Sequence, residues 1–393
     1  MLETIRAYAR DLLDPEDLAD VIRRHAAHYA GLVALADPAI RGADQVPWLA
    51  RLRADVPNIR ASLDHYAAVG DDAGAAHIAS CLAWFWTLNG MLQEAAVHLR
   101  AASTATGLRP RLRFRVLFGR GLVEASLGHL DGAHAIGRQA RQLAEETAAE
   151  GEDAYPVGGA PILLGVVAWA RGDLGAAIRH HEEAMRLADA GGDSWISAVA
   201  GVLRARTAVD ADTPDRRERI ADGLDRARRC GDRHILGIGY EQLARLELHE
   251  RRYEAAIQVA RRAIEQHTLI GYPEGMVAAL QPLGRALLGT GDHDGAWATH
   301  RRALGLATSI GHPAAACEAM EDLAAVLEHR GDDPDALQLL LAAQARRLAE
   351  GVPARPGSQE QLDRRIARLR AITGITTDPH AEITDEILTA LIG

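Results

Sequence analysis

Residues 162 to 193 read ILLGVVAWARGDLGAAIRHHEEAMRLADAGGD, and approximate copies of this stretch recur downstream. Gly165, Ala177 and Ala184 are small where two short helices have to approach each other closely, and Gly172-Asp173 supplies the turn between them. Shifting the frame by about forty residues brings Ala205, Ala244, Gly284 and Ala324 onto the place of Gly165, in steps of 40, 39, 40 and 40. A second marker keeps the same phase. Gly192-Asp193, Gly231-Asp232, Gly271-Tyr272 and Gly311-His312 each precede the next hairpin, where a helix C-terminal glycine belongs. A chain with such a period folds as stacked helical hairpins, each burying its apolar face against its neighbours.

The spacing is specific. The small residue late in helix A (Gly165, Ala244, Gly284, Ala324) is followed twelve positions on by Ala177, Ala256, Ala296 and Ala336, and seven further by Ala184, Ala263, Ala303 and Ala343. This pattern resembles the tetratricopeptide repeat (TPR) family, whose units run to about 34 residues. The longer period here implies helices extended by most of a turn. The expected fold is all-α, a right-handed α-solenoid of about seven TPR-like hairpins behind an N-terminal helical linker.

Composition agrees and excludes much chemistry. The chain is 48% hydrophobic but only 4% aromatic, so its core is built from Ala, Leu, Ile and Val, which suits close helix packing. There is no lysine, so a P-loop, a Schiff base and Ser-Lys catalysis have no residue to run on. A formal charge of -10 argues against a large nucleic-acid footprint. Cys81, Cys230 and Cys317 are too few and too scattered for a disulfide framework or a metal site, which points to a reduced, cytoplasmic setting. No apolar run approaches the roughly 20 residues that span a bilayer.

Along the chain, residues 1 to 72 stand outside the repeat. MLETIRAYARDLL has helical spacing, a second helix follows Pro15, a loop covers Asp37 to Asp44, and WLARLRADVPNIRASLDHY reads as two helices separated at Pro57. Hairpins are expected near 75–104, 112–147, 158–190, 194–230, 233–270, 273–310 and 313–350. GEDAYPVGGAP at 151 to 161 loops out ahead of the third, and DADTPD at 210 to 215 replaces the tight turn of the fourth. From 351 to 393 we expect a break at VPARPGS, a capping box of Ser358 with Gln361, a capping helix and a short amphipathic run, ITDEILTALI.

The segments MLETIRAYARDLL, RRHAAHYAGL and GADQVPWLARLRADVPNIRASLDHY look like the stretch that joins the winged-helix end of the nucleotide-binding module to the TPR array in actinobacterial STAND regulators of the SARP and LuxR-like, NB-ARC-containing kind. The likeness covers residues 1 to about 105 in order and continues less specifically through the repeats. In that family the NTPase lies upstream, so the likeness implies either a sensor fragment or a natural short relative.

The TPR resemblance also implies a binding surface. Helix A lines the concave face of such proteins, with the positions three before, one after and four after the small residue pointing inward. One after gives Arg206, Arg245 and Arg285; three before gives Glu241, Gln281 and Glu321. Arginines stacked about 10 Å apart form a ladder suited to carboxylate or phosphate groups. Alternatively, Glu241 and Arg245, four apart on one helix, pair with each other and with neighbouring hairpins. Trp84, beside Phe85 and Trp86, and Trp169 on an inner position form either an aromatic binding wall or core packing. His25 with His28, and His180-His181 ahead of Glu182 and Glu183, lack HExxH spacing and read as surface rather than metal ligands. RRERIADGLDRARR at 216 to 229 carries enough acid to read as a salt-bridged helix.

No catalytic residue, cofactor or metal is therefore expected. The leading reading is a ligand- or protein-binding sensor module that controls the NTPase and DNA-binding parts of a STAND-type transcriptional regulator. The alternative is a free-standing adaptor that takes an acidic or amphipathic peptide of a partner protein, or an anionic small molecule, in its groove.

Overall fold

The computed structural model describes residues 12–149, 158–352 and 358–375, and every element among them is a helix or a turn. The expectations for the opening MLETIRAYARDLL, the loop at 151–157, the break at VPARPG, the Ser358 cap and the run ITDEILTALI fall wholly or mainly outside these residues. The helices form two compact units, one up to Arg233 and one from His234.

The first unit holds α1 (Pro15–Ala39), α2 (Gln45–Ala68), α3 (Asp72–Leu88), α4 (Leu92–Thr104), α5 (Pro110–Ser126), α6 (Leu130–Ala149), α7 (Gly159–Ala170), α8 (Leu174–Gly191), α9 (Ser194–Asp210) and α10 (Arg216–Cys230). Consecutive helices pack as pairs, and helix A of each hairpin also packs on helix A of the next: α3 on α5, α5 on α7, α7 on α9. α1 meets α3 in the same way, so the N-terminal pair packs as part of this stack.

Three local expectations need correction. Pro57 does not divide two helices; α2 runs through it. Proline removes one backbone donor, but Leu49, Leu52, Ile59 and Leu63 lie on one buried face across it, and burying four apolar side chains outweighs one lost hydrogen bond. The loop after α1 is shorter than expected because α1 carries Pro38 inside its last turn and ends at Ala39. Pro161 lies in the first turn of α7, where its missing N–H costs nothing, so Gly159 to Pro161 are helix rather than loop.

The second unit takes α11 (Arg233–His249), whose first residue closes the first unit, then α12 (Tyr253–Ile270), α13 (Pro273–Gly289), α14 (His293–Ser309), α15 (Pro313–Arg330), α16 (Asp333–Ala349) and α17 (Ser358–Thr373). Here too α13 packs on α15. Ala244, Ala256, Ala296, Ala303, Ala324, Ala336 and Ala343 all belong to one continuous apolar core that reaches Leu362 and Leu369 of α17.

Turn chemistry explains the register. Gly192 and Gly231 end α8 and α10 at φ +71° and +81°, a left-handed conformation that a Cβ disfavours. Between helices A and B, Gly172 holds φ +80° and the Asp173 carboxylate accepts from the Ala176 N–H. In the fourth and fifth hairpins Asp212 and Arg251 hold positive φ in the corresponding turns.

Glycines inside the helices do something else: they seat rings. A Cβ on Gly165 would lie 2.5 Å from His181 Nε2, and one on Gly284 would overlap the His300 ring. His267 is wedged between Gly237 and Gly275 in the same manner. Sixteen residues after Gly165 and Gly284 stand His181 and His300, whereas sixteen after Ala244 stands Ala260.

These three imidazoles are buried, and neither ring nitrogen of any of them has a hydrogen-bond partner among the described residues. Burial disfavours the charged ring, pulling His181 down to about 3, with Arg206 adding to the effect, and His267 to about 4. His234, packed edge-on against His267 and Tyr272, is held at about 3 by burial.

Two outcomes follow from this packing. Gly284→Ala is expected to cost about 1–3 kcal/mol of stability, and urea unfolding should show His300→Ala relieving part of that cost in the double variant. Costs that simply add would show that the ring and the notch are unrelated. The second concerns pH. Rings whose folded pKa lies below the unfolded value contribute full stability above about pH 6.5 and lose it as pH falls toward the folded values. His181 and His267 should each withdraw about 2 kcal/mol between pH 7 and pH 5, and His267→Gln should flatten the pH dependence of the urea midpoint by one such share.

Candidate functional site

The residues expected in the groove divide between the units: Trp84, Trp169 and Arg206 in the first, Glu241, Arg245, Gln281, Arg285 and Glu321 in the second. The three arginines are therefore described as two separate groups.

In the first unit, the Arg206 guanidinium lies 3.8 Å from the centroid of the Trp169 ring, a cation–π contact between α7 and α9. The Trp169 indole N–H donates to Asp210 Oδ2 at 2.7 Å. All three side chains reach the surface at least in part, which makes this an accessible aromatic and charged patch. Trp84, expected beside Trp169 in an aromatic wall, instead packs edge-to-face on Trp195 with ring centroids 5.3 Å apart, and is 8% exposed. Trp169 is thus partly open to solvent, whereas Trp84 is buried with Trp195 against it.

In the second unit the row expected to line the groove is a chain of polar rungs. Gln281 Nε2 donates to Glu318 Oε2 at 2.7 Å, and Arg285 Nε to Asp322 Oδ1 at 2.8 Å, both from α13 to α15. Arg347 Nε donates to Glu321 Oε1 at 2.9 Å, and Arg365 adds a bond to the Glu321 carbonyl at 3.1 Å. Burial pushes the Glu321 carboxyl up, although Arg347 opposes it. On α11, Arg245 donates to Gln242, which donates to Glu241. Behind Arg285, His300 Nδ1 faces Asp322 Oδ2 at 3.6 Å. Arg285 keeps 47% of its side chain exposed against 11% for Asp322, so the rung is open on the arginine side.

The expectation set an arginine ladder beside a network paired within and between hairpins; the row is mixed in charge, because α15 presents Glu318, Glu321 and Asp322 to the arginines and glutamine of its neighbours. The sequence held a signal for this. Gln281 with Glu318, Arg285 with Asp322, Glu328 with Arg365, Asp189 with Arg226 and Glu182 with Arg219 all stand 37 apart. That separation is one 40-residue repeat less one short turn of helix, so it joins a position to the turn just before its equivalent in the next hairpin.

The other clusters are structural. His181 is buried, His180 lies 3.6 Å from Glu183, and among the described residues no group of three or more His, Cys, Asp or Glu can hold a metal ion. Along 216 to 229, Arg216, Arg219, Arg226 and Arg228 all meet carboxylates. Cys81, Cys230 and Cys317 are free thiols, and no helix among the described residues is long and apolar enough to cross a membrane.

No protein-family model and no curated protein matches the sequence. Solved structures do match in fold. A signal transduction ATPase with numerous domains (STAND) protein with a tetratricopeptide repeat sensor, from Pyrococcus horikoshii, aligns over 93% of this chain at 14% identity and a TM-score of 0.54. The chain spans only 57% of that protein's length. A Rap protein complexed with competence and sporulation factor aligns over 90% of this chain and 98% of its own, at 13% identity and a TM-score of 0.55. The chain has the all-helical fold of TPR-type α-solenoids.

The rung between Arg285 and Asp322 gives a measurable coupling. Arg285→Ala leaves the mostly buried Asp322 carboxylate without its donor and should cost about 1 kcal/mol, given the exposure of the arginine. In a double-mutant cycle with Asp322→Ala the two losses should be less than additive; strict additivity would mean that the pair does not interact.

Proposed function

We propose that this chain is a non-catalytic binding module of the sensor kind, belonging to a STAND-type transcriptional regulator of the SARP or LuxR-like group. In that role it would control NTPase and DNA-binding parts that these residues do not contain. The observation that carries the reading is the fold likeness to a STAND protein with a tetratricopeptide repeat sensor, which takes in nearly all of this chain and little more than half of that one. The resemblance of residues 1 to about 105 to the junction of such regulators points the same way.

The surface proposed to meet the guest is the helix-A row: Glu241, Arg245, Gln281, Arg285 and Glu321 in one unit, Trp169 and Arg206 in the other. Trp84 joins it only when uncovered. The guest is a protein or peptide, or an anionic small molecule, and it has to displace the carboxylates that already pair with the row. That competition favours a peptide with several acidic groups over a single weak anion, since each displaced rung costs a charge-assisted hydrogen bond. Guest binding then shifts the stack between curvatures, which neighbour-by-neighbour stability permits at modest cost.

A free-standing adaptor is the second reading, favoured by the match to almost the full length of the Rap protein bound to its factor. A reading frame that continues upstream into a P-loop module separates the two. The shared surface is tested by fluorescence anisotropy with a labelled acidic amphipathic peptide and its charge-reversed counterpart. We expect the acidic peptide to bind and Arg245→Ala with Arg285→Ala to weaken it at least about tenfold, the equivalent of one rung, while helicity is kept. Equal binding of both peptides, or undiminished binding by the variant, overturns the assignment.

A further inference from the structure

The first unit is closed on itself by its own N-terminal loop. Residues 40 to 44, between α1 and α2, lie against the junction of α10 and α11 almost 190 positions away. Gln45 makes the connection. Its side-chain amide donates to the Ile40 carbonyl at 2.8 Å and to Asp232 Oδ1 at 3.0 Å, and its Oε1 accepts the Arg233 N–H at 2.9 Å. Gln45 and Asp232 are both fully buried. The Cys230 thiol donates to the Arg41 carbonyl at 3.3 Å, and a Cβ on Gly231 would come within 3.0 Å of the Ala43 nitrogen, so the two loops meet backbone to backbone.

The same contact holds a lid. Asp232 Oδ2 accepts the Trp195 indole N–H at 2.9 Å, and Trp195 is the ring packed edge-to-face on Trp84. Arg41 reaches back over Trp195 at 4.7 Å from its centroid. Arg41 and Arg115 both bond to Asp37, at 2.6 Å each, and a cavity of about 30 Å³ lies among Arg41, Arg115, Trp84 and Trp195. That is room for about a water or two, so packing under the loop is incomplete.

We propose that the α1–α2 loop is a latch, released as a local unit, whose opening frees Trp195 and uncovers Trp84 with Arg41 and Arg115 on the inner side of the first unit. Two features make this the seam that opens first. The hairpins around it are held by apolar burial along whole helices, while the latch buries one large apolar side chain, Ile40, and otherwise rests on a few hydrogen bonds, each of small net worth, and on glycine and alanine contacts. The bonds also converge on one pair, Gln45 and Asp232, so one event releases them together. Whatever binds at Trp84 must first compete with the chain's own glutamine, and this holds whether or not the helix-A row of the second unit takes the guest proposed above.

Gln45→Glu replaces the amide donor with a second carboxylate facing Asp232; adding Asp232→Asn restores a donor from the other side. Hydrogen exchange read by mass spectrometry on the full chain is expected to show residues 40–46 and 230–234 exchanging about tenfold faster or more in Gln45→Glu, with the helices of the first unit still protected. The double variant should recover part of the parent protection, since the carboxylate at position 45 still has no donor for the Ile40 carbonyl, and acrylamide should quench tryptophan emission most strongly in the single variant. Unchanged exchange at the two loops would overturn the proposal. So would faster exchange across the whole first unit, or loss of helicity on circular dichroism, because the contact would then be part of the cooperative core.

Discussion

Everything else in this fold depends on helices being able to approach where one of them has no side chain. His181 on Gly165, His300 on Gly284 and His267 between Gly237 and Gly275 are ring-in-notch contacts. A chain with 4% aromatic residues has few large side chains to place in its core. It uses imidazoles as flat spacers, although their nitrogens go without hydrogen bonds and their charged forms are disfavoured. These contacts fix helix A against helix B of its own hairpin, and His267 also meets helix A of the next.

On the helix-A row the charged side chains tie hairpins together and yet stay in part accessible. Rungs such as Arg285 with Asp322 and Gln281 with Glu318 tie successive hairpins, yet Arg285 remains half exposed. A guest that takes Arg285 from Asp322 therefore loosens a tie between α13 and α15 in the same step. This is a direct physical route from binding to a change in the stack, and it needs no separate switch. In the first unit the corresponding double role falls to Trp195, which is at once core partner of Trp84 and hydrogen-bond donor to Asp232.

The repeat was legible in the sequence because small residues at fixed spacing and glycines at helix ends are local requirements, and Gly172, Gly192 and Gly231 sit where that logic puts them. Pro57 misled because proline's local preference was set against apolar burial on both sides, and burial prevails. The inner positions could be named, but not their pairing: Glu318 and Asp322 flank the inner position Glu321 on α15, and only the 37-residue spacing reveals them as partners of Gln281 and Arg285. Contacts without a period, such as Gln45 with Asp232 and Trp84 with Trp195, left no trace in the sequence. They depend on where a non-repeating loop meets the stack, which no helix pattern encodes.

The most direct test of the ring-in-notch packing is a residue-resolved pH titration of the imidazole nitrogens by NMR, on the folded chain and on the same chain unfolded in urea. In the folded chain His181 and His267 should stay neutral from pH 8 down to pH 5 and His300 should titrate below its own unfolded midpoint, whereas in urea the same rings should titrate in the ordinary imidazole range. Midpoints near pH 6.5 for the three in protein that is still fully helical would mean that the rings swing out of their notches, and the packing of helix A on helix B that rests on them would be wrong.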